Sequence, residues 1–222
     1  MCGRFSLIST RETLEEEFQF EYSGELPPRY NIAPGQEILA IISPNQHRAG
    51  RLFHWGLIPF WASDEKIGYK MINARAETLN EKSSFKNPLK KRRCIIPADG
   101  YFEWKREGKL KQPYRFVQKD GKPLAFAGLW EVWEGKGKRV ESCTIITTNA
   151  NEMAAEVHDR MPVILTPEKQ NIWLDQKLED SLLLQSLLNP YESEKMEMYE
   201  VSTLVNSVKN ESNEIIRPFN SK

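Results

Sequence analysis

Apolar positions along this chain fall into many short runs separated by turn residues, with only a few stretches at helical spacing. Residues 2–8 (CGRFSLI) are apolar enough for a short strand that anchors the N-terminus. Ser9-Thr10-Arg11-Glu12 has capping-box spacing with Ser9 as N-cap, and Leu14 and Phe18 share one face, so a helix is predicted over 10–19. The prolines of residues 26–35 predict a stiff extended loop without regular structure. Strands are predicted over 36–44, the first half of 51–61, 113–118, 123–132 and 141–148. Residues 94–105 read as strand, turn, strand, with Asp99-Gly100 as the turn. Gly135-Lys136-Gly137-Lys138 reads as a hairpin tip. A short helix is predicted up to about Val157, then a strand over 163–165. Thr166-Pro167 is an N-cap followed by proline at N1, opening a helix through Trp173. A further helix is predicted over 180–188 and a strand over 196–204; the polar tail after Val205 is expected to be loosely held. Many short strands with a few helices, and no repeat or linker, predict one α+β domain over 1–222 built on antiparallel sheet, with its core at about 2–205 and a tail at about 206–222.

Composition narrows this picture. The chain has 222 residues and is 40% hydrophobic, enough for one good core. No apolar run approaches the ~20 residues of a membrane span, and the N-terminus lacks a signal-peptide pattern. Three cysteines, Cys2, Cys94 and Cys143, suit a reducing cytoplasm, and none are spaced C-x-x-C. His47, His54 and His158 are scattered, so no metal site is expected. The formal net charge is zero, so a positive field for nucleic acid must be local.

The N-terminal segment carries distinctive chemistry. Cys2 follows Met1, and its small side chain favours removal of that methionine by an aminopeptidase. The exposed residue would carry an amine of pKa about 7.7–8.0 beside a thiol of about 8.5. Such an aminothiol condenses with an aldehyde to an imine, which the sulfur then closes into a thiazolidine. A small buried apolar residue is the plainer reading of a free cysteine. Asn73 beside Arg75 is either a turn residue or a site residue. Glu103, between Phe102 and Trp104, is either the outer face of a strand or a carboxyl in an aromatic pocket with a raised pKa, suited to moving protons. His158 is either a satisfied structural histidine or an acid–base group, a role for which the imidazole side chain is suited. Arg4, Arg29, Arg75 and Arg160 lie beside these candidates and suit phosphate. Trp55, Trp61 and Trp104 are either core or stacking platforms for unpaired bases. The basic run 86–93 reads as a solvated face.

Six blocks in order carry a resemblance: Met1-Cys2-Gly3-Arg4-Phe5, Arg29-Tyr30-Asn31-Ile32-Ala33-Pro34, Trp55-Gly56-Leu57-Ile58-Pro59, Ile72-Asn73-Ala74-Arg75-Ala76-Glu77-Thr78, residues 93–104, and His158-Asp159-Arg160-Met161-Pro162. From Cys2 to about residue 205 the chain resembles the SOS-response-associated peptidase (SRAP) family of abasic-site-processing proteins. The resemblance implies a barrel-like arrangement of mostly antiparallel sheets with short peripheral helices. It implies covalent capture of abasic sites in single-stranded DNA through Cys2 as a thiazolidine, self-reversal, some lyase cleavage and self-processing of Met1. Asn73 would orient the sugar, Glu103 and His158 would act as acid–base groups, and Arg4, Arg75 and Arg160 would hold phosphates, with Trp55 and Trp61 at the DNA. No cofactor, metal or membrane is implied, and a cytoplasmic monomer that joins the nucleoid on DNA is expected. Two alternatives stand beside this. One is an N-terminal-nucleophile cysteine amidohydrolase, since such enzymes also begin Met-Cys-Gly; the other is a non-covalent single-stranded-DNA reader.

Overall fold

The computed structural model describes residues 2–108 and 110–219, with residue 107 described by its backbone only. Twelve strands are seen among them. The first six are β1 (Phe5–Leu7), β2 (Arg29–Ile32), β3 (Glu37–Ile42), β4 (Ala49–Trp55), β5 (Asn73–Arg75) and β6 (Arg93–Ala98). The others are β7 (Gly100–Glu107), β8 (Leu110–Gln118), β9 (Leu124–Gly135), β10 (Lys138–Asn149), β11 (Arg160–Pro162) and β12 (Met196–Glu200). The α-helices are α1 (Arg11–Phe18), α2 (Ser83–Lys91), α3 (Glu152–Ala155), α4 (Pro167–Leu174) and α5 (Ser181–Ser186).

Strand β9 pairs with both β6 and β10, so the order β10-β4-β3-β6-β9 closes on itself as a five-stranded barrel. Closure removes the exposed edges that an open sheet must otherwise protect. The closing contact between β4 and β10 is parallel, Ser142 facing His54 and Cys143 facing Trp55. Beyond it, β5 and β11 attach to the far end of β10. The second sheet has the order β12-β8-β7-β1-β2 and is antiparallel throughout. Its β1 packs against the barrel: the Phe5 ring meets Trp55 edge-on at 5.2 Å and Phe126 at 6.0 Å. All three are buried, each side chain contributing about 1.5–3 kcal/mol. The α+β, single-domain reading therefore holds, with a barrel as its centre.

Several local expectations are corrected. Thr10, not Ser9, caps α1 by accepting the Thr13 N–H. Ser9 is turned away because its hydroxyl and N–H both bind the Asp99 carboxylate. Asp99-Gly100 is not a hairpin turn: β6 lies in the barrel and β7 in the second sheet, so the chain changes sheets there. Gly100 is required by close approach, since a Cβ would lie 2.8 Å from the Phe116 carbonyl oxygen. The proline-rich loop contains β2, because Arg29–Ile32 pairs with β1 immediately after Pro28. The strand placed at 163–165 lies at Arg160–Pro162, followed by an isolated bridge at Ile164. The C-terminal segment is anchored rather than loose. Val205 and Ile215 are fully buried, and Val201 bridges to Pro218. The β9–β10 hairpin is as expected, with Lys136 and Gly137 both at positive φ. Helix α4 is capped by Thr166 with Pro167 in its first turn.

The basic run forms α2, which buries Phe85, Pro88 and Leu89 and leaves its lysines outward. Arg93 at its end is fully buried and donates to the carbonyl oxygens of Leu89, Lys90, Trp173 and Asp175. It thus satisfies the open C-terminal carbonyls of both α2 and α4. Arg93→Ala strips these groups of their donor and leaves a cavity. We expect a loss of ~3 kcal/mol or more, seen as a melting temperature lower by about 6–12 °C in a thermal scan. An unchanged melting temperature would exclude this capping role.

Candidate active site

Backbone pairing brings the N-terminus to Glu103. Strand β1 runs antiparallel to β7 with Phe5 opposite Tyr101 and Ser6 opposite Gly100. The Phe102 N–H donates to the Arg4 carbonyl at 2.9 Å, extending the ladder toward Cys2. Continuing that register sets Glu103 opposite Gly3. Tyr101 and Glu103 are two residues apart on β7 and share one face. Both are buried, Tyr101 fully and Glu103 nearly so.

Burial governs the proton chemistry of this group. It pushes the Cys2 thiol well up, and the neighbouring Glu103 carboxylate pushes it further. Burial also raises Glu103 above the usual carboxylate range, against a smaller opposing pull from His158. Tyr101 is raised in the same way, by burial first and then by Cys2 and Glu103. These effects place Cys2, Tyr101 and Glu103 within electrostatic reach of one another, and His158 within reach of Glu103. The Tyr101 hydroxyl is buried and has no hydrogen-bond partner among the described residues. Sequence reasoning did not single out Tyr101, although the two-residue spacing from Glu103 was a usable signal.

Glu103 and His158 open onto a cleft of about 820 Å³, whose wall also includes Trp104, Lys105, Arg106, Lys111, Glu156, Asp159 and Asn206. His158 follows α3, where its N–H donates to the Ala154 carbonyl at 2.9 Å. Its Nδ1 accepts the Arg160 N–H at 3.0 Å, which places the proton of the neutral ring on Nε2. Asp159 Oδ1 lies 2.9 Å from the same nitrogen and can accept from it only when that nitrogen carries a proton.

Asn73 sits on β5, opposite Ile145 of β10. Its Nδ2 donates to the Ile72 carbonyl at 2.9 Å, while its Oδ1 is buried with no partner among the described residues. Such an orphaned acceptor is costly unless something fills it. Asn73 makes no hydrogen bond to Cys2, Glu103 or His158 among the bonds described.

The arginines differ in what they offer. Arg75 is exposed on β5. Arg4 is partly buried, gives Nη1 to Asn31 Oδ1 at 2.7 Å and lies 5.8 Å over the Trp104 ring. Arg29 is bound to Gln36 and to the Glu37 carbonyl. The open phosphate ligand expected at Arg160 is not seen. Its side chain is only 10% exposed and grips Glu77 through both terminal nitrogens at 2.7 and 2.9 Å. The same guanidinium binds Asn149 and the Thr147 carbonyl, and its hydrogen bonds to Glu77 lower that carboxyl below its usual range.

The tryptophans are also sorted. Trp55 is fully buried with its indole N–H on the Ile72 carbonyl, so it is core and cannot stack on a base. Trp61 is half-exposed beside Phe60 but does not line the cleft. Trp104 does line it and gives its indole N–H to Asn206 Oδ1 at 2.7 Å. The basic residues Lys105, Arg106 and Lys111 of the β7–β8 hairpin were likewise not singled out from sequence. Among the described residues no three histidine, cysteine or acidic side chains are grouped to hold a metal, and no helix is long and apolar enough to cross a membrane. The expected loss of Met1 falls outside the described residues.

Comparison with known proteins places this geometry. The family described as SOS response associated peptidase (SRAP) matches residues 1–208. A Bacillus subtilis (strain 168) protein named "Abasic site processing protein YoqW" is 55% identical over 222 residues, spanning 97% of this chain and 99% of that protein. The Escherichia coli (strain K12) protein named "Abasic site processing protein YedK" is 34% identical over 227 residues, spanning 98% and 100%. A crystal structure of a Bacteroides thetaiotaomicron protein superposes with a TM-score of 0.90 at 31% identity, over 99% of this chain and 100% of that one. With the family matched along nearly the whole chain and the barrel shared with a solved relative, this protein belongs to the SOS response associated peptidase (SRAP) family.

Proposed function

We propose that this protein processes abasic sites by capturing them covalently in single-stranded DNA through Cys2. The observation that carries this is that the pairing of β1 with β7 sets the buried Cys2 close to Glu103, which together with His158 lines one cleft, in a chain whose relatives bear the name abasic site processing protein. Loss of Met1, by self-processing or by an aminopeptidase, turns the Cys2 amide nitrogen into an amine. That amine adds to the C1′ aldehyde of the ring-opened sugar and, with loss of water, gives an imine. The Cys2 sulfur then adds to the imine carbon and its proton moves to nitrogen, closing the thiazolidine. The Cys2 thiol is buried and held protonated, so a nearby base must take its proton as it attacks. Glu103 serves this transfer. It also removes the C2′ proton when the imine persists, expelling the 3′ phosphate as lyase cleavage. His158 handles protons at the sugar oxygen and assists reversal. The orphaned Asn73 Oδ1 receives a sugar hydroxyl. Arg4 and Arg75 hold flanking phosphates, Arg160 braces Glu77 near Arg75, and Trp104 and the half-exposed Trp61 stack on bases.

The test uses purified protein and single-stranded DNA whose uracils have been excised to leave abasic sites. A band that resists denaturing electrophoresis is expected, with an intact mass that shows Met1 lost and DNA added less one water. Undamaged DNA should give no such band. Protein that binds both DNAs but leaves neither attached would favour a non-covalent reader. Glutamine hydrolysis without attachment would favour an amidohydrolase.

A further inference from the structure

Asn31, on β2, is fully buried and ties together parts of the chain that no sequence pattern connects. Its Oδ1 accepts from Arg4 Nη1. Its Nδ2 faces the carbonyl oxygens of Val205 at 3.3 Å, Ser207 at 2.9 Å and Asn210 at 2.9 Å. The Arg4 Nη1 reaches the Val205 carbonyl as well, at 2.6 Å. The backbone N–H groups of Tyr30 and Asn31 both donate to the Glu211 carboxylate. Between the gripped carbonyls sits Asn206, which accepts the Trp104 indole N–H. Behind this strap a small separate core of Phe102, Val201, Val205 and Ile215 backs the strand that carries Glu103.

We propose that Asn31 is a positioning residue that sets the DNA-facing wall of the cleft: by gripping the 205–210 strap it fixes Arg4 and, through Asn206, Trp104. This rests on the proposed function, since it assigns those two side chains to the bound strand. A primary amide fits the position uniquely well. It offers an acceptor to the arginine and two N–H donors shared among three carbonyls from one side chain. Aspartate would keep the acceptor but lose the donors, and its charge would face the same carbonyls. A freed Trp104 must then be ordered by the DNA itself, which weakens binding while leaving the reacting groups untouched.

Two variants separate this from a merely structural role. Binding is read as the half-saturating protein concentration for labelled, undamaged single-stranded DNA, which does not depend on covalent capture. Asn31→Asp should raise it about ten-fold, and Asn206→Ala, at an exposed residue, about three-fold. The rate of attachment to abasic DNA at saturating protein should stay within about two-fold of wild type in both. Asn206→Ala carries the test if Asn31→Asp does not fold. Unchanged half-saturation in Asn206→Ala would overturn the proposal, as would an attachment rate that falls at saturation in either variant. A wild-type protein that binds undamaged DNA but never attaches to abasic DNA would sink the proposed function, while the binding comparison would still decide the role of Asn31.

Discussion

Replacing Cys2 with alanine is expected to eliminate the stable adduct altogether. The variant still offers an α-amine once Met1 is gone, so it still condenses with the aldehyde to an imine. What it lacks is the sulfur that converts this hydrolysable bond into a ring. The expected outcome is therefore a change of product, not silence. No band should survive denaturing electrophoresis unless borohydride is added to reduce the imine. Cleaved DNA should accumulate instead, because Glu103 remains beside the persisting imine. Cys2→Ala lies at a buried, small site, so some stability is lost along with the sulfur, and folding must be checked by circular dichroism. A stable adduct formed by folded Cys2→Ala would remove Cys2 from the chemistry.

Glu103→Gln separates a working carboxyl from a structural one by two opposite effects. Its capture rate should drop by about 10²–10⁴-fold, the usual contribution of a positioned acid–base group. Its melting temperature at neutral pH should rise. Burial raises the folded-state pKa of Glu103 above that of the unfolded chain, about 4.3. Between those two values the folded protein holds more protons than the unfolded one, so stability falls as pH rises through that window. Above the folded pKa the whole cost of the buried charge is present, and glutamine removes it. The wild-type capture rate should accordingly show an acidic limb above the ordinary carboxylate range, absent from the variant. A variant that melts lower and captures at the wild-type rate would make Glu103 a structural residue.

The reach of the sequence follows from which constraints are local. The Thr166-Pro167 helix start and the Lys136-Gly137 hairpin tip are decided by adjacent residues, and both were legible. β2 was not, because its pairing with β1 is a long-range gain that outweighs the reluctance of flanking prolines. Asp99-Gly100 looked like a hairpin because turn chemistry is the same whether the following strand folds back or leaves for another sheet. The site divides in the same way. Cys2, Glu103 and His158 carry their chemistry in their side chains and could be named from the chain alone. Trp55 and Trp104 both sit among aromatics, and only barrel closure, which buries one and leaves the other at a cleft, tells them apart. Arg160 was legible as a cation, but its partner Glu77 lies 83 residues away, so its engagement was not.

The pairing of β1 with β7 has a consequence for how the protein is made. The first strand emerges from the ribosome about a hundred residues ahead of its partner, and Arg4 emerges 201 residues ahead of the Val205 carbonyl it binds. At about 5–20 residues per second, the N-terminal segment waits roughly 5–20 s before β7 is available to cover it. Any enzyme that must reach the N-terminal strand before it pairs has its access during that interval, and slower translation lengthens it.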